Sequence, residues 1–277
     1  MTVRPESRFR VAALASFAIL TMAPSAALAI PVNPIDLTTL GSSGTFGDGA
    51  IWSQQITQPT GTGVYDPFLR LQGTGNQGFQ QGFNTDASQV LDNKAGIWTH
   101  SIQLSDLQAV EVGGVQYYSF DLDINDPQGL QKSPISLDTF QLFTVAGNPA
   151  ISSLSALQAL GSLRYDMDAS MDTSVFLDSA LKPGSGTDDM NVLIPVTYFA
   201  GSQPADFLYL YSTFGETAGF EGNSYLAQGG FEEWRVNTAT GGGPPEPPPP
   251  GAPEPSTLLH LGSASLLGLA ALRLRRG

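Results

Sequence analysis

The central part of the chain alternates apolar and polar residues at a period of two. In segment 117–125 every second residue is apolar: Tyr118, Phe120, Leu122 and Ile124. Successive side chains of a strand point to opposite faces, so this alternation is typical of a β-strand with one face in a core. Similar short segments recur between Gly, Pro and Asn turn signals, at 98–104, 137–145, 163–167, 174–177, 190–194, 207–211 and 231–236. The spacing predicts an all-β fold, an antiparallel β-sandwich with jelly-roll-like connectivity.

One segment of this region follows a different period. Leu154, Leu157 and Leu160 recur at every third position between Ser153 and Gly161. A Ser at the start and a Gly at the end are the residues that favour the two termini of a helix. We therefore predict a short helix or turn over 152–161.

The N-terminus has the three parts of a secretory signal peptide. Arg4, Arg8 and Arg10 precede the apolar run 11–22, and Ala27 and Ala29 match the small-residue cleavage pattern. The apolar run is too short to cross a bilayer comfortably. We predict a signal peptide over 1–29 that signal peptidase removes, and an uncleaved N-terminal anchor is the alternative.

The C-terminus carries a second apolar run, which ends in a basic cluster. Residues 257–274 are almost all apolar or small, with His260 as an exception. At about 1.5 Å per residue, a helix of this length just spans the hydrocarbon core of a bilayer. Arg273, Arg275 and Arg276 would then lie on the cytoplasmic side. The sequence predicts one transmembrane helix at about 257–274, with the rest of the mature chain across the membrane.

A Gly/Pro-rich stalk separates this helix from the central region. Residues 241–252 consist largely of Gly and Pro. Proline fixes φ and lacks an N–H, so such a stretch stays extended instead of forming a helix. We predict that the stalk holds an ectodomain, residues 30–240, away from the membrane.

The order of parts at the C-terminus resembles a known sorting signal. Pro253, Glu254 and Pro255 are followed at once by the apolar run and the three arginines. Together with the signal peptide, residues 253–277 resemble the PEP-CTERM signal of Gram-negative bacteria. The resemblance implies that an exosortase, a membrane-embedded cysteine transpeptidase, recognises Pro253, Glu254 and Pro255. It implies cleavage near this motif and transfer to the cell surface or the exopolysaccharide matrix.

Phrases of the central region are also similar to uncharacterised PEP-CTERM ectodomains. They include 66–74, 80–86, 91–101, 184–190 and 230–234. This second resemblance implies no particular activity.

The charge of the chain excludes one class of partner. Lys and Arg number 12 against 25 Asp and Glu, which gives a formal net charge of −13. Six of the arginines lie in the two terminal segments, so the ectodomain is more acidic still. Such a surface repels phosphate backbones, and we predict no nucleic-acid partner. The chain has no Cys, which excludes disulfides, thiolate metal sites and a Cys nucleophile.

No residue pattern identifies a reaction. His100 is the sole histidine of the predicted ectodomain, and no G-x-S-x-G nucleophile elbow is present. Two carboxylates at a spacing that suits glycoside hydrolysis are expected by chance among so many acids. We therefore assign no catalytic residue, interpret His100 as structural or exposed, and predict a protein that is not an enzyme.

Oxygen-bearing side chains suggest calcium as the one cation to consider. Asp121, Asp123, Asn125 and Asp126 form one candidate group of ligands, and Asp166 and Asp168 form another. Calcium prefers such oxygen ligands, although neither group has the spacing of an EF-hand loop. The competing interpretation is that Asp121, Asp123 and Asn125 are solvated on the outer face of a strand. Asp188 and Asp189 form a third, weaker candidate. We predict no other cofactor.

These observations predict an exported protein that is sorted by an exosortase. It would be anchored in the inner membrane with a periplasmic ectodomain, and then reach the cell surface or extracellular matrix. There it would take part in adhesion or in exopolysaccharide and biofilm association. Its aromatic residues would either stack on sugars or lie in the core: Trp52, Trp98, Trp234, Tyr209 and Tyr211. Two alternatives stay open, a carboxylate-dependent hydrolase of envelope polysaccharide and a plain inner-membrane-anchored periplasmic domain.

Overall fold

The structure is a computed structural model that describes residues 33–54, 66–73, 78–127, 132–147, 150–184, 186–217 and 219–236. The predicted signal peptide, stalk and sorting signal lie outside the described residues. They include Ala27, Ala29, Pro253, Glu254, Pro255, Arg273, Arg275 and Arg276. Within the described ranges, no helix is long and apolar enough to cross a membrane.

The described chain forms short β-strands and one α-helix. The first seven strands are β1 (Ile35–Asp36), β2 (Ser43–Gly44), β3 (Ile51–Gln54), β4 (Leu69–Leu71), β5 (Gln80–Phe83), β6 (Ile102–Gln103) and β7 (Ala109–Val112). The next are β8 (Val115–Ile124) and β9 (Pro134–Val145), which precede the helix α1 (Leu154–Leu160). The last are β10 (Ser162–Asp166), β11 (Val175–Asp178), β12 (Met190–Pro195), β13 (Phe207–Phe214) and β14 (Glu232–Val236).

These strands build two sheets that are mainly antiparallel. The first sheet has the order β1-β11-β9-β13-β5, with β10 also paired to β9 and β6 to β13. The second has the order β2-β3-β12-β8-β14-β4, with β7 also paired to β8. Among the described strands only β1 and β11 pair in parallel. The all-β prediction is confirmed at this level.

The two sheets share one hydrophobic core, centred on Phe140 of β9. Its ring meets Trp52, Phe120 and Trp234 of the opposite sheet at centroid distances of 5.4, 5.8 and 5.1 Å. All four side chains are fully buried. Burying a side chain of this kind contributes about 1.5–3 kcal/mol, so this contact layer holds the sheets together.

A second apolar cluster lies on the outer face of the first sheet. Leu142 and Phe143 are adjacent apolar residues, so they interrupt the apolar–polar pattern of β9. Both are apolar because each face of the strand is covered: Leu142 belongs to the central core and Phe143 to this second cluster. Helix α1 covers the cluster through Leu157, which is fully buried. Ser153 caps the helix by accepting a hydrogen bond from the Ala156 N–H at 3.1 Å. The prediction of a short helix at 152–161 is confirmed.

The predicted strand over 98–104 is wrong for most of its length. Only Ile102–Gln103 pairs as a strand, and a 3₁₀ turn follows at Leu104–Asp106. The preceding residues are held by other bonds. The His100 N–H donates to the Phe68 carbonyl at 3.0 Å, and Asp86 accepts from the Ser101 N–H and hydroxyl. These bonds replace a regular ladder.

Candidate functional site

The outer face of the second sheet carries a row of polar side chains centred on Asp121. Strand β8 lies between β12 and β14, and its register places Asn191 and Arg235 on either side of Asp121. The Asn191 amide donates to Asp121 at 2.6 Å, and Arg235 lies 3.2 Å from the same carboxylate. Arg235 also binds both carboxylate oxygens of Asp188. Asp121 is therefore held by a cross-strand network.

The next row on the same face contains Asp123, Glu233 and Arg70. Glu233 of β14 pairs with Asp123 on one side and with Arg70 of β4 on the other. Arg70 forms an ion pair with Glu233. Its guanidinium lies over the Trp98 ring at 3.6 Å and the Phe231 ring at 4.4 Å. These cation–π contacts fix Arg70 on Glu233 and leave Asp123 without an arginine in this row.

Residues 182–184 and 186–189 cover this face, so the competing interpretation of solvated side chains is wrong for Asp121 and Asp123, whereas Asn125 is partly exposed. The two acids are 3% and 0% exposed. The Gly186 N–H donates to Asp123 Oδ2. The Asp189 N–H donates to the Leu122 carbonyl, and Asp189 Oδ2 accepts from the Ile124 N–H, both at 2.8 Å. The covering segment is thus bonded directly to β8.

Two further carboxylates lie where β8 ends and β14 begins. Asp126 accepts hydrogen bonds from the N–H groups of Gln228 and Gly230. Glu232 pairs with Ile124 in the ladder and is fully buried, on the same face as Trp234. Neither carboxylate oxygen of Glu232 has a hydrogen-bond partner. A buried carboxylate in this state is costly unless it is neutralised.

Unpaired oxygens are not confined to Glu232. Gln80 Oε1, Asp123 Oδ1 and Asp189 Oδ1 are also buried without a hydrogen-bond partner. Gln80 reaches this region through its Nε2, which lies 3.5 Å from the Gly230 carbonyl. We name these side chains together with Asp126 the Glu232 cluster: Gln80, Asp123, Asp126, Asp189 and Glu232.

Burial raises the pKa of every carboxylic acid in the cluster. Loss of hydration is the largest cause in each case, and it raises the pKa of Asp126 to about 6 and of Asp123 to about 7. The pKa of Asp189 rises to about 9, where repulsion from Asp123 adds to burial. Burial and repulsion from Asp126 and Asp123 hold the pKa of Glu232 well above its usual range.

The cationic side chains near the cluster are already occupied. Arg235 is bound to Asp188 and Asp121, and Arg70 to Glu233. Burial lowers the pKa of Lys182, and Asp189 and Asp188 oppose that change. The Lys182 ammonium donates to the Asp188 carbonyl at 2.9 Å. The carboxylates of the cluster therefore outnumber the cations that could balance them.

The predicted ligands Asn125 and Asp121 have different partners. Asn125 lies beside Asp123, and hydrogen bonding from its side chain lowers the pKa of that acid. Burial raises the pKa of Asp121 to about 6, with Asp188 adding to the rise and Arg235 opposing it. Asn125 borders the Glu232 cluster, whereas Asp121 belongs to the arginine network.

The second predicted group, Asp166 and Asp168, builds a turn. Asp166 Oδ1 accepts from the Asp168 N–H at 3.0 Å, and its Oδ2 accepts from Gln141 at 2.9 Å. Asp168 Oδ1 accepts from the N–H and the hydroxyl of Thr173. Burial raises the pKa of Asp168 to about 6, and the Thr173 bonds oppose the rise. These bonds hold the turn that follows β10.

Among the described residues, no group of three or more Asp, Glu or His side chains could hold a metal ion. The calcium prediction stays a prediction. Asp123 and Asp126 lie near enough to Glu232 to raise its pKa.

The aromatic residues considered for sugar stacking lie mainly inside the protein. Trp52, Trp234 and Tyr209 are fully buried, and Tyr211 is 8% exposed. Trp98 is half-buried and contacts Arg70. The alternative that these residues belong to the core therefore describes most of them.

Sequence reasoning missed Gln80, Arg70, Arg235, Glu232 and Glu233 as members of this region. A signal for Glu232 was available, because strand alternation in 231–236 places it on the same face as Trp234. An acidic residue on the apolar face of a strand is unusual, because a buried carboxylate needs a partner that balances its charge.

Two cavities lie elsewhere on the surface. One of about 470 Å³ is lined by Thr38, Ser133, Pro134, Asp178, Ala180, Asn223 and Tyr225. The other, of about 250 Å³, lies beside Asp166 and includes Phe46, Asp48, Arg164 and Tyr198. Their hydroxyl, amide and carboxylate groups are suited to hydrogen bonds with a polar ligand.

Comparison with known proteins gives no relative from which a function could be transferred. No family model, no curated protein and no solved structure matches this chain.

Proposed function

We propose that this chain is an exported cell-surface or extracellular-matrix protein that an exosortase sorts, and that its ectodomain is a non-enzymatic β-sandwich. Signal peptidase and the exosortase are its processing partners. The ectodomain contributes to adhesion or to association with exopolysaccharide in a biofilm. The proposal needs no catalytic residue.

The observation that carries this proposal is the order of parts at the C-terminus. Pro253, Glu254 and Pro255 stand immediately before the apolar run, and the three arginines close the chain. The last described strand, β14, ends at Val236, shortly before the Gly/Pro stalk begins. This spacing fits a folded ectodomain followed by a tether and a membrane signal.

The burial of the acidic residues supports a non-enzymatic ectodomain. A glycosidase needs two carboxylates that reach opposite sides of a bound sugar. Asp123, Asp189 and Glu232 are at most 3% exposed. A polysaccharide cannot reach these three groups in the arrangement observed, so they are suited to a structural role and not to hydrolysis.

The cavity of about 470 Å³ is the surface we propose for polysaccharide contact. Asp178, Asn223 and Thr38 line it together with Tyr225. Tyr225 stacks on Phe176 at a centroid distance of 4.1 Å, which fixes its ring. Carboxylate, amide and hydroxyl groups on a rigid frame suit the hydroxyl groups of a sugar.

The chain contains its own control for a test of sorting. Residues 245–247 in the stalk are a second Pro-Glu-Pro tripeptide, which does not adjoin the apolar run. We expect Glu254→Ala to retain the protein in the inner membrane and Glu246→Ala to leave its delivery unchanged. The amounts in membrane, surface and matrix fractions of an exosortase-bearing host measure this difference.

Equal delivery of both variants would overturn the sorting proposal. Retention of both variants would show that the whole stalk matters and not the motif beside the membrane. The unsubstituted chain found in the membrane fraction alone would favour a plain inner-membrane-anchored periplasmic domain.

A further inference from the structure

The cavity of about 250 Å³ is lined by residues of both sheets, and we name it the Tyr198 cavity. Phe46 and Asp48 come from the connection between β2 and β3 of the second sheet. Tyr198 belongs to the 3₁₀ turn Val196–Phe199, which follows β12 of the same sheet. The remaining lining residues lie on β10 of the first sheet and on the turn after it. The cavity therefore depends on the way the two sheets meet.

Two half-buried aromatic rings give the Tyr198 cavity an apolar wall. Phe46 and Tyr198 both line the cavity and are both partly exposed. Tyr198 packs edge-on against the Tyr165 ring at a centroid distance of 5.1 Å, and Phe46 packs against Trp52 at 5.9 Å. Because both rings also pack against the central core, their exposed parts are held in place. They offer a fixed apolar surface to a ligand.

Asp48 ties the parts of this wall together. Its Oδ2 accepts a hydrogen bond from the Tyr165 hydroxyl at 2.7 Å, and its carbonyl accepts from the Tyr198 hydroxyl at 2.9 Å. Its Oδ1 accepts from the Ala50 N–H at 3.0 Å. Burial raises the pKa of Tyr198, and the nearby Asp48 carboxylate adds to the rise. The connection between β2 and β3 is thus bonded to β10 and to the turn that carries Tyr198, so the cavity is largely pre-formed.

The two carboxylates of the cavity, Asp48 and Asp166, keep acceptor capacity for a ligand. Each of their oxygens accepts one hydrogen bond from another protein group, and a carboxylate oxygen can accept more than one. Neither acid forms an ion pair with any lysine or arginine that the structure describes. A ligand that donates hydrogen bonds would therefore find acceptors here.

Arg164 and Ser170 supply hydrogen-bond donors to the same cavity. Arg164 Nε donates to the Thr144 hydroxyl at 2.6 Å, and one terminal nitrogen donates to the Ala200 carbonyl at 3.2 Å. A guanidinium carries more N–H groups than these two contacts use, so the contacts position Arg164 and leave donors over. Ser170 is exposed and adds a hydroxyl to the lining. Donors and acceptors thus border one aromatic wall.

This combination fits a neutral sugar better than a charged ligand. A pyranose carries hydroxyl groups, which both donate and accept, and C–H groups, which pack on an aromatic ring. An anionic ligand would pair with Arg164 but would meet Asp48 and Asp166, and the contact of like charges is costly. A cationic ligand would meet Arg164 in the same way. The cavity volume lies just below the about 300 Å³ at which pockets for drug-sized ligands begin, so it suits a single sugar ring.

We propose that the Tyr198 cavity binds one neutral hexose unit, whose apolar face packs on Tyr198 and Phe46. Asp48 and Asp166 accept hydrogen bonds from its hydroxyl groups, and Arg164 donates to them. The inference deepens the proposed association with exopolysaccharide and rests on it for the source of the sugar. It adds a second site, because the two cavities share no lining residue. Two sites on one chain would strengthen binding to a polysaccharide through multivalency.

Saturation-transfer NMR with simple glycosides tests this proposal on the full chain, purified in a detergent without a sugar headgroup. The probes are methyl β-D-glucopyranoside, methyl β-D-galactopyranoside and methyl α-D-mannopyranoside. Each has a uronic acid counterpart, in which a carboxylate replaces the primary alcohol. We expect saturable binding of at least one neutral glycoside. Its uronic acid counterpart should bind at least about tenfold more weakly, because it meets the two carboxylates.

Two substitutions in the Tyr198 cavity separate its role from that of the larger cavity. They are compared in a chain that also carries Asn223→Ala, so that binding in the larger cavity does not mask a change. Tyr198→Leu removes the aromatic face, and we expect at least about fivefold weaker binding, as for loss of an aromatic anchor. Asp166→Asn removes one charge and should narrow the difference between the neutral glycoside and its uronic acid counterpart.

Tyr118→Leu is the matched control. Tyr118 is also a half-buried tyrosine at this end of the second sheet, and it packs on Phe199 at 5.1 Å without lining the cavity. We expect this variant to keep the affinity of its parent chain. A loss of affinity equal to that of Tyr198→Leu would show that general disturbance of the fold, and not contact with the sugar, is measured.

The proposal is overturned if none of the three neutral glycosides binds the wild-type chain saturably. It is also overturned if Tyr198→Leu folds and keeps the affinity of its parent, or if Asn223→Ala alone abolishes binding. Association of the protein with the matrix of an exosortase-bearing host is measured separately. Glycoside binding at the Tyr198 cavity without matrix association would overturn the proposed function and leave this inference standing.

Discussion

Asp138 and Glu232 show two ways in which single buried acids are accommodated. Asp138 accepts hydrogen bonds from the Ser136, Ser174 and Thr217 hydroxyls at 2.7, 2.9 and 3.1 Å, and from the Glu216 N–H at 2.7 Å. Burial raises its pKa, and these bonds oppose the rise. Glu232 has no such donors. Asp138 therefore links β9 to Ser174, just before β11, and to the chain after β13.

Replacement of Asp138 tests this link. Asp138→Asn replaces one carboxylate oxygen with an amide N–H₂ group. Two hydrogen-bond donors point at each oxygen, so two buried donors would lose their acceptor. We expect the free energy of unfolding to fall by about 1–3 kcal/mol, measured by urea denaturation. Asp172→Asn, at an exposed position, is the control and should change stability by less than about 0.5 kcal/mol. A similar small change at both positions would contradict the assigned role.

The pH dependence of the same variant has a definite sign. The folded-state pKa of Asp138 is raised, so its contribution is fully present below the unfolded value of about 4. That contribution is lost as pH rises through the folded pKa. The free energy of unfolding of the wild type should therefore exceed that of Asp138→Asn by less as pH rises above about 4. Urea denaturation across this range measures it, and a widening gap would contradict the assignment.

At the scale of elements, long strands were predictable and short strands were not. Strands β8, β9, β12, β13 and β14 show alternation or a continuous apolar run over several residues. The two- to four-residue strands β1 to β5 lie largely in a region rich in Gly, Gln and Thr, where no period can be recognised. The β7–β8 hairpin was marked by its turn, since Gly113 and Gly114 both have positive φ, at 59° and 83°.

The site was predictable only in part, for a physical reason. Local sequence identified Asp121, Asp123 and Asp126 as carboxylates in one strand and turn. Their cover is a contact between residues 63 apart, from Gly186 to Asp123, and no local pattern encodes it. The same holds for Glu232, whose neighbours come from β8 and β5. The burial of these acids and the lack of partners for their oxygens therefore depend on tertiary contacts, which the local sequence does not predict.

Substitution of Gly215, just after β13, tests how closely the chain packs there against Gly78 and Ala227. Its φ is +87°, and an added Cβ would overlap the Gly78 carbonyl and the Ala227 N. We expect Gly215→Ala to cost clearly more than the about 1–2 kcal/mol of left-handed backbone alone. Gly147→Ala is the matched control, because its φ is +76° and its Cβ would meet nothing within 4 Å. Equal losses in denaturation experiments would show that the close approach is not maintained in solution.

At the scale of the whole molecule, the chain combines an acidic folded body with terminal segments that we propose to be processing signals. The net charge of −13 keeps such a body away from nucleic acids and anionic surfaces. In our proposal the ends direct export, anchoring and release, and the ectodomain supplies the β structure.

The intact mass of the mature protein tests the central claim of export and sorting most directly. It is measured from surface and membrane fractions of a host with its exosortase and of the same host without it. We expect the surface form to begin at Ile30 and to end near Pro253–Pro255 only when the exosortase is present. A mass that retains residues 273–277 in both hosts would contradict sorting.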